Sequence, residues 1–225
     1  MATLLLRLAA PLQAWGSDSK FETRKTNREP TKSGVIGLLA AALGLKRNQV
    51  EELEELSKLR FGVRVEREGK LLIDYHTARD LKKDKPYVTY RHYLQDAVFL
   101  VGLESEDNAL LQTLEKSIRY PAYPLFLGRR SCPPTLPLCL GIKEINLIDA
   151  LENEPDLCEN LNHSGRRRIV IDANPEDYGY GIQQDLPLSF DFKHRQYGYR
   201  SVKEYVVDIK SQERTDTEHD PFHEL

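Results

Sequence analysis

The sequence predicts an α+β protein whose strands and helices alternate over the first two thirds of the chain. Three observations support this prediction. An apolar run from Leu4 to Leu8, with Arg7 inside it, has the length of a buried strand. The segments 34–43 and 107–118 have the apolar spacing and the length of helices of about three turns. The last third contains mainly short alternating runs separated by turn residues, which is typical of β structure.

Local signals position each element of the first 146 residues. Ser33 can accept hydrogen bonds from the first turn of a helix. Asn48 and Glu51 have the spacing of a capping box, and Val50 begins the apolar face of the second helix. The predicted order is a strand at 3–8, helices at 34–43 and 50–59, strands at 61–65 and 97–103, a helix at 107–118 and a strand at 138–145.

The segment 67–95 departs from this regular pattern. It begins with a turn at Glu68 and Gly69, and its part at 77–93 contains five Lys or Arg residues and three tyrosines but few aliphatic residues. We therefore interpret 67–95 as an insertion that leaves the core. Without it, the order strand, helix, strand, strand, helix, strand predicts a ferredoxin-like βαββαβ domain, the arrangement of many RNA-binding sheets.

The chain is predicted to divide near residue 146. Residues 1–146 would form the ferredoxin-like RNA-binding domain, and 147–225 a β-rich part that ends in an acidic tail. No helix is predicted in this second part. Its expected strands lie at 168–173, 188–192 and 201–209.

Composition limits the possible classes of protein. With 225 residues, 40% hydrophobic and 30% charged, the chain fits a soluble globular protein. No apolar run approaches the roughly 20 residues of a membrane span. The three cysteines lack metal-type spacing, which predicts reduced thiols and a cytoplasmic location. No motif for a metal or another cofactor is present, so none is expected.

The charge distribution favours a nucleic-acid partner although the net charge is −3. Residues 1–47 contain eight Lys or Arg against three Asp or Glu, and 120–143 contain three basic residues and no acidic one. The acidic residues concentrate in 144–163 and in the C-terminal tail. This segregation predicts a cationic face on an acidic body, although separate solvated patches would give the same linear pattern.

Three segments taken together resemble a known family. The segments 6–16, 30–38 and 127–133 resemble CasD-type subunits of the type I-E CRISPR surveillance complex, Cascade, which belong to the repeat-associated mysterious protein superfamily. The segments 74–77 and 90–97 favour the I-E subtype. The resemblance extends over roughly 3–140 and weakens in the β-rich part.

The resemblance implies a specific role in antiviral defence. Such subunits bind the 5′ handle of the CRISPR RNA, cap a filament of backbone subunits and adjoin the large subunit, so that any contact with target DNA is indirect. The superfamily's glycine-rich loop would correspond to Gly128, and the insertion at 67–95 to a thumb-like hairpin. The segment 77–89 is short and rich in lysine, so thumb contacts of the family transfer poorly to it.

Candidate RNA-binding residues combine the cationic clusters with the segments of the resemblance. Guanidinium groups suit phosphate oxygens, and a glycine lets the backbone approach a phosphate closely. The candidates are Gln13, Arg24, Arg28, Lys32, Ser33, His76, Thr77, Arg79, Arg91, Gly128, Arg129 and Arg130. Trp15 is interpreted as a core residue.

Two other functions remain open at this point. A metal-independent ribonuclease would use His76, His92 or His194 as its general base, but nothing in their spacing pairs two of them. The resembled subtype assigns RNA processing to a separate subunit, so we predict a non-catalytic chain. A general RNA-binding module would fit the fold but would leave the linked motifs unexplained.

Overall fold

A computed structural model describes residues 1–16, 22–80, 85–158, 165–174, 177, 181–191 and 194–209. The structure is a mixed α+β fold with two sheets. Its strands are β1 (Ala2–Ala9), β2 (Leu12–Gln13), β3 (Thr23–Arg24), β4 (Arg60–Arg67), β5 (Lys70–Asp80), β6 (Lys85–Gln95), β7 (Val98–Ser105), β8 (Cys139–Lys143), β9 (Arg166–Asp172), β10 (Gly181–Ser189) and β11 (Gln196–Asp208). Its helices are α1 (Lys32–Leu43), α2 (Val50–Ser57), α3 (Asn108–Arg119) and α4 (Leu147–Asn153).

The larger sheet contains seven antiparallel strands in the order β10-β11-β9-β4-β7-β1-β8. β1 lies near one side of this sheet and pairs with both β7 and β8. β9 pairs with β4, with Val63 opposite Val170. The strands on the two sides of residue 146 therefore belong to one continuous sheet.

The apolar run of β1 is explained by burial on both faces of this sheet. Leu4, Leu6 and Leu8 contribute to a core that includes residues of α1, α2 and α3. Leu5 points to the opposite face and packs in a smaller core with Leu151 of α4. Because successive side chains of a strand point to opposite faces, only a strand covered on both sides needs apolar residues at every position.

The smaller sheet is a long hairpin with two short strands attached. β5 and β6 form the hairpin, β2 pairs antiparallel with β6, and β3 pairs parallel with it. One face of the hairpin is apolar and exposed: Ile73, Tyr75 and Tyr90 are 41%, 67% and 41% exposed. The rings of Tyr75 and Tyr90 meet edge to face at 5.3 Å between centroids. The predicted insertion is thus a regular hairpin outside the main core.

A first buried ionic cluster joins β4 and β9 to the end of α4. Arg64 is fully buried and donates to Glu66 at 2.5 Å and to the carbonyl oxygens of Leu151 and Glu154 at 2.6 Å each. Arg167 contacts the other oxygen of Glu66 at 3.3 Å. Burial raises the pKa of the Glu66 carboxyl above its ordinary value, although the two guanidinium groups oppose this effect.

A second ionic cluster joins the C-terminal strands to the first helix. Arg200 of β11 donates to Asp185 at 2.6 Å and to Asp172 at 2.7 Å. Asp172 also accepts from Lys32 Nζ and from the backbone N–H of Phe61, both at 2.9 Å. Both carboxylates are thus shared by several donors, which offsets the cost of removing these charges from water.

Several sequence predictions about elements are confirmed and others are wrong. The helix predicted at 107–118 and the strands predicted at 3–8, 61–65 and 97–103 are present. The capping box at Asn48 is wrong, because Gln49 precedes α2 without a side-chain cap, and Val50 is 51% exposed. Within the described ranges, no helix is long and apolar enough to cross a membrane.

The β-rich part also contains features that the sequence did not predict. α4 was missed because it has only seven residues and its buried side is limited to Leu147, Ala150 and Leu151. The strand expected at 188–192 lies earlier, at Gly181–Ser189, where Leu186 pairs with Gly198. The predicted acidic tail lies outside the described residues.

Replacing Arg64 by methionine should lower the free energy of unfolding by about 3 kcal/mol or more, because Glu66 and several carbonyl oxygens would lose a buried donor. Arg166→Met is the matched control, since Arg166 is exposed on the adjacent strand β9. It should change stability by about 0.5 kcal/mol or less. Urea unfolding of both variants measures the difference, and equal losses would show that the buried cluster is not stabilising.

Candidate nucleic-acid interface

Three of the predicted arginines come together beside the hairpin. Arg24 of β3 is the pairing partner of Arg91 in β6. Arg129, from the loop between α3 and β8, donates from Nη2 to the carbonyl oxygen of Arg24 at 2.8 Å. We call the surface formed by Arg24, Arg91 and Arg129 the arginine surface. It unites residues that are more than one hundred positions apart in the sequence.

The buried ring of Tyr93 packs against Arg129 of the arginine surface. Its side chain is 4% exposed, and the guanidinium carbon of Arg129 lies 4.5 Å from the centroid of its ring. This is the geometry of a cation–π contact, which limits the orientations that Arg129 can adopt. Burial acts to raise the pKa of the Tyr93 hydroxyl, but polar contacts with Arg129, Ser131 and Arg91 outweigh burial and lower that pKa.

The arginine surface retains hydrogen-bond donors that nothing in the described chain satisfies. Arg91 Nε and Arg129 Nη1 are buried atoms without a hydrogen-bond partner among the described residues. A buried guanidinium donor without an acceptor is costly, and arginine itself can only donate. An anionic oxygen would satisfy both groups, so the surface is chemically suited to a phosphate of a nucleic acid.

Gly128 is required by contact with another part of the chain. It has a φ of +86°, and a Cβ placed on it would lie 1.6 Å from the carbonyl oxygen of Ala14. The neighbouring Leu127 carbonyl accepts from the N–H of Ala14 at 3.2 Å. The loop is therefore held against the segment that follows β1 by a backbone hydrogen bond and close packing. Its close backbone approach within the folded chain is to Ala14, while Arg130 beside it is exposed.

Gln13, predicted to contact RNA, is bonded inside the folded chain. Its side chain is fully buried, and its Nε2 donates to the carbonyl oxygens of Leu8 at 3.1 Å and Ala97 at 2.8 Å. Its Oε1 accepts from the indole N–H of Trp15 at 3.0 Å. Gln13 is thus a structural residue that satisfies polar groups of the core. Trp15 is 1% exposed, which confirms its interpretation as a core residue.

Lys32 and Ser33, also predicted to contact RNA, have buried side chains with partners inside the chain. The backbone N–H of Lys32 donates to Asp185 at 2.9 Å, and its Nζ is paired with Asp172. The start of α1 does bind an anion, as its position suggested, but that anion is a carboxylate of the same chain. Thr31, and not Ser33, caps the helix by accepting from Gly34 N–H at 3.2 Å.

One remaining candidate, His76, shares the hairpin face of Arg91, because its partner Asp74 is the cross-strand neighbour of Arg91. His76 is half-buried and bonded to Asp74. Thr77 and Arg79 are exposed further along β5, and their cross-strand pairing places them on the hairpin face opposite that of His76. Arg28 is exposed and lies in the segment between β3 and α1. It lines an open cavity of about 770 Å³.

Sequence reasoning missed the residues that hold the cationic segment in place. The hydroxyl of Thr26 accepts from Trp15 N–H at 2.8 Å, and Asn27 N–H donates to the carbonyl oxygen of Trp15 at 2.8 Å. Their polar character is ordinary for a loop, so no signal in the sequence distinguished them. The contact of Tyr93 with Arg129 was also missed, because it joins two segments that are distant in the sequence.

The histidines considered for catalysis do not form a group. His76 and His92 belong to different strands of the hairpin, and Ile73 and not His76 is the partner of His92. His194 is an exposed residue between β10 and β11. In the part of the chain that the structure describes, no cluster of three or more His, Cys, Asp or Glu residues could hold a metal ion.

The fold and the arginine surface together define a mixed α+β protein with a basic surface suited to a polyanion. Residues 3–203 match the Cas5d family model, described as CRISPR-associated protein (Cas_Cas5). This match includes most of the chain. The chain therefore belongs to the Cas5 family of CRISPR-associated proteins.

Individual relatives agree with this assignment. The CRISPR system Cascade subunit CasD of Escherichia coli strain K12 is 42% identical over 159 residues, which are 61% of this chain and 70% of that protein. A crystal structure of a Cas protein is 40% identical with a TM-score of 0.74, covering 92% of this chain and 95% of that one. A chain of a CRISPR RNA-guided surveillance complex is 31% identical with a TM-score of 0.77, covering 92% and 90%.

Gly128→Ala should lower the free energy of unfolding by at least about 2 kcal/mol, because it combines a left-handed backbone with a clash against Ala14. Gly37→Ala is the matched control: Gly37 lies within α1, and a Cβ there would meet no atom within 4 Å. That change should stabilise the protein by about 0.5–1 kcal/mol. Urea unfolding measures both, and a neutral Gly128→Ala would contradict the proposed fastening of the loop.

Proposed function

We propose that the chain is a non-catalytic subunit of a CRISPR RNA-guided surveillance complex and that it binds the constant 5′ handle of the CRISPR RNA. The observation that carries this proposal is the pair of unsatisfied donors, Arg91 Nε and Arg129 Nη1, on the arginine surface. Membership of the Cas5 family and the relatedness to Cascade subunit CasD support the same conclusion. Binding RNA would supply the acceptors that the folded chain lacks.

The strand order supports a ferredoxin-like core for this function. The elements β1, α1, β4, β7, α3 and β8 follow in the sequence as βαββαβ when α2 and the hairpin are set aside. Their strands lie side by side as β8-β1-β7-β4, which is the antiparallel order of that fold. We retain 1–146 as the RNA-binding domain and 147–225 as a C-terminal part that extends its sheet.

The arginine surface is compact, and its size favours a short RNA element. It is formed by β3, β6 and the loop of Arg129. Of the described arginines of the main sheet, Arg64 and Arg200 are buried in ion pairs. A handle of constant sequence needs only one such fixed surface. A variable spacer would instead require repeated phosphate contacts along a groove.

The exposed hairpin is proposed to contact neighbouring subunits of the same complex. Leu71, Ile73 and Val88 lie on one of its faces with 61%, 41% and 46% exposure, which is unusual for a lone hairpin in water. The backbone filament subunit and the large subunit are the proposed partners, and contact with target DNA would be indirect. Such an assembly would act in the cytoplasm in antiviral defence.

A ribonuclease function is less well supported. Metal-independent cleavage needs a general base and a cation at the same phosphate. His76 contacts Asp74, and His92 is half-buried in the neighbouring strand. No second histidine pairs with either of them among the described residues, which supports a non-catalytic chain.

Arg129→Gln should weaken binding of handle RNA about tenfold or more, because a charged hydrogen bond to phosphate is worth about 1.5–3 kcal/mol. Arg91→Gln should have a similar effect. Arg119→Gln is the control, since Arg119 is exposed on α3 and pairs with Glu115 there. Affinities of the assembled complex for handle and spacer oligonucleotides should be measured at fixed salt.

The same measurement contains the outcome that would contradict the proposal. Equal affinity for handle and spacer, or an Arg119→Gln loss as large as that of Arg129→Gln, would rule out a specific site. Melting temperatures should accompany the affinities, because Arg129 also contacts the backbone of Arg24. If Arg129→Gln greatly lowered the melting temperature but retained RNA normally, Arg129 would be a structural residue.

The purified chain should not cleave labelled precursor repeat RNA under metal-free conditions. Its histidines offer no paired base and acid, and loss of either group typically costs ~10²–10⁴-fold in rate. His76→Ala and His92→Ala serve as controls for contaminating nuclease, whose activity they would leave unchanged. If the chain cleaved specifically at the handle boundary and either substitution abolished this cleavage, the chain would be a processing ribonuclease.

A further inference from the structure

The edge strands of the main sheet are protected against pairing with another chain. β8 has five residues, ends at Lys143 and pairs with β1 through an irregular register. β10 contains Pro187, which has no backbone N–H, and its register with β11 shifts twice. Short strands, edge lysines, prolines and bulges are the features by which natural sheets prevent the addition of a further strand.

The edge strand β5 of the hairpin differs from both. It has eleven residues, contains neither Pro nor Gly, and pairs with β6 without a register shift. Its other side pairs with no strand of the described chain. Its only lysine is its first residue, and the strand then exposes apolar side chains: Leu71, Leu72 and Tyr75 are 61%, 38% and 67% exposed. A long, regular and apolar edge is a template for an additional strand.

The orientation of the β5 backbone follows from a hydrogen bond on the far side of β6. The N–H of Tyr90 donates to the carbonyl oxygen of Glu22, beside β3, at 2.7 Å. Tyr90 is the cross-strand partner of Tyr75. Because the N–H and C=O of one strand residue point to the same side, this pair is a non-hydrogen-bonded one, and the backbone of Tyr75 points away from β6. Alternate residues share this orientation, so we call the following four the outward residues of β5: Leu71, Ile73, Tyr75 and Thr77.

The outward residues offer two kinds of contact along one strand. Their N–H and C=O groups alternate along the edge, which matches a polypeptide backbone, whereas the phosphates of a nucleic acid would supply acceptors only. Their side chains lie on the hairpin face that also carries Val88 and Tyr90, which are 46% and 41% exposed. An added strand would therefore gain backbone hydrogen bonds and cover apolar surface at the same time. An extended protein segment with apolar or β-branched residues at alternate positions fits this edge.

We propose that the outward residues of β5 bind an extended segment of a neighbouring protein subunit, which joins the hairpin as an additional β-strand. The relatives of this chain include a chain of a CRISPR RNA-guided surveillance complex, in which protein neighbours are present. The proposal rests on the proposed function in taking this neighbour to be a subunit of such a complex, and it specifies the contact as backbone pairing. RNA and the added strand can bind together, because β3, which carries Arg24, lies on the other side of β6 from β5.

Hydrogen exchange in the assembled complex tests the pairing directly. The full chain is co-expressed with the neighbouring genes, and exchange is read at single amides by mass spectrometry with electron-transfer fragmentation. The amides of Leu72, Asp74 and His76 point to β6 and provide the internal reference. We expect the amides of the outward residues to exchange within about tenfold of this reference. A larger difference would show that the edge remains open in the complex and would overturn the proposal.

A photo-crosslinker at position 75 identifies what occupies the edge. Benzoylphenylalanine replaces the exposed Tyr75, and we expect a crosslink to one discrete segment of another protein subunit. Adding Ile73→Pro should lower the crosslink yield at least about fivefold relative to Ile73→Ala, the matched control, because both remove the side chain but only proline removes the outward N–H. That N–H does not belong to the ladder with β6, so the hairpin keeps its own bonds, and unchanged exchange at the reference amides checks this.

Each alternative occupant of the edge gives a different result. A crosslink to RNA, a crosslink to a second copy of this chain, no crosslink to protein, or equal yields for Ile73→Pro and Ile73→Ala would overturn the proposal, even where handle RNA is retained normally. The RNA in the same preparation tests the proposed function separately. Absence of handle RNA together with the expected protein crosslink would overturn the proposed function and leave the added strand supported.

Discussion

The shared carboxylates of Asp172 and Asp185 decide how the two parts of the chain combine. Arg200 bonds to both of them, Lys32 brings the start of α1 to the same place, and the pair lies at the junction between the main sheet and its C-terminal extension. Because removing one partner would leave a buried charge uncompensated, the cluster fixes the position of α1 relative to β9, β10 and β11. The seven-stranded sheet and the helix that covers it depend on this arrangement.

The same cluster limits where the proposed RNA contact can lie. Asp185 occupies the N-terminus of α1, so this otherwise suitable anion site is not available to a phosphate. Unsatisfied cationic donors remain instead on Arg91 and Arg129, where the hairpin meets the loop fastened to Ala14. The protein thus uses its buried arginines and lysine to hold the fold, and we propose that its loop and hairpin arginines recognise RNA.

Local structure was predictable from the sequence, whereas long-range charge pairing was not. The strand β1 and the helix α3 could be predicted from apolar spacing, because the apolar side chains in each segment are the ones that the element buries. Lys32 was predicted to bind RNA, since no sequence pattern shows that Asp172, 140 residues away, will pair with it. Arg24 and Arg91 were both predicted as separate candidates, but the parallel pairing that joins them arises only from the fold.

Tethered hydroxyl-radical probing tests the central claim most directly. A probe attached at position 130, in an Arg130→Cys chain whose half-buried Cys158 is changed to serine, would lie beside the arginine surface of the assembled complex. Cleavage of the bound CRISPR RNA should be confined to its constant 5′ end, at the same nucleotides for different guides. Cuts distributed along the variable spacer, or no cuts in a complex that retains its RNA, would contradict binding of the handle at this surface.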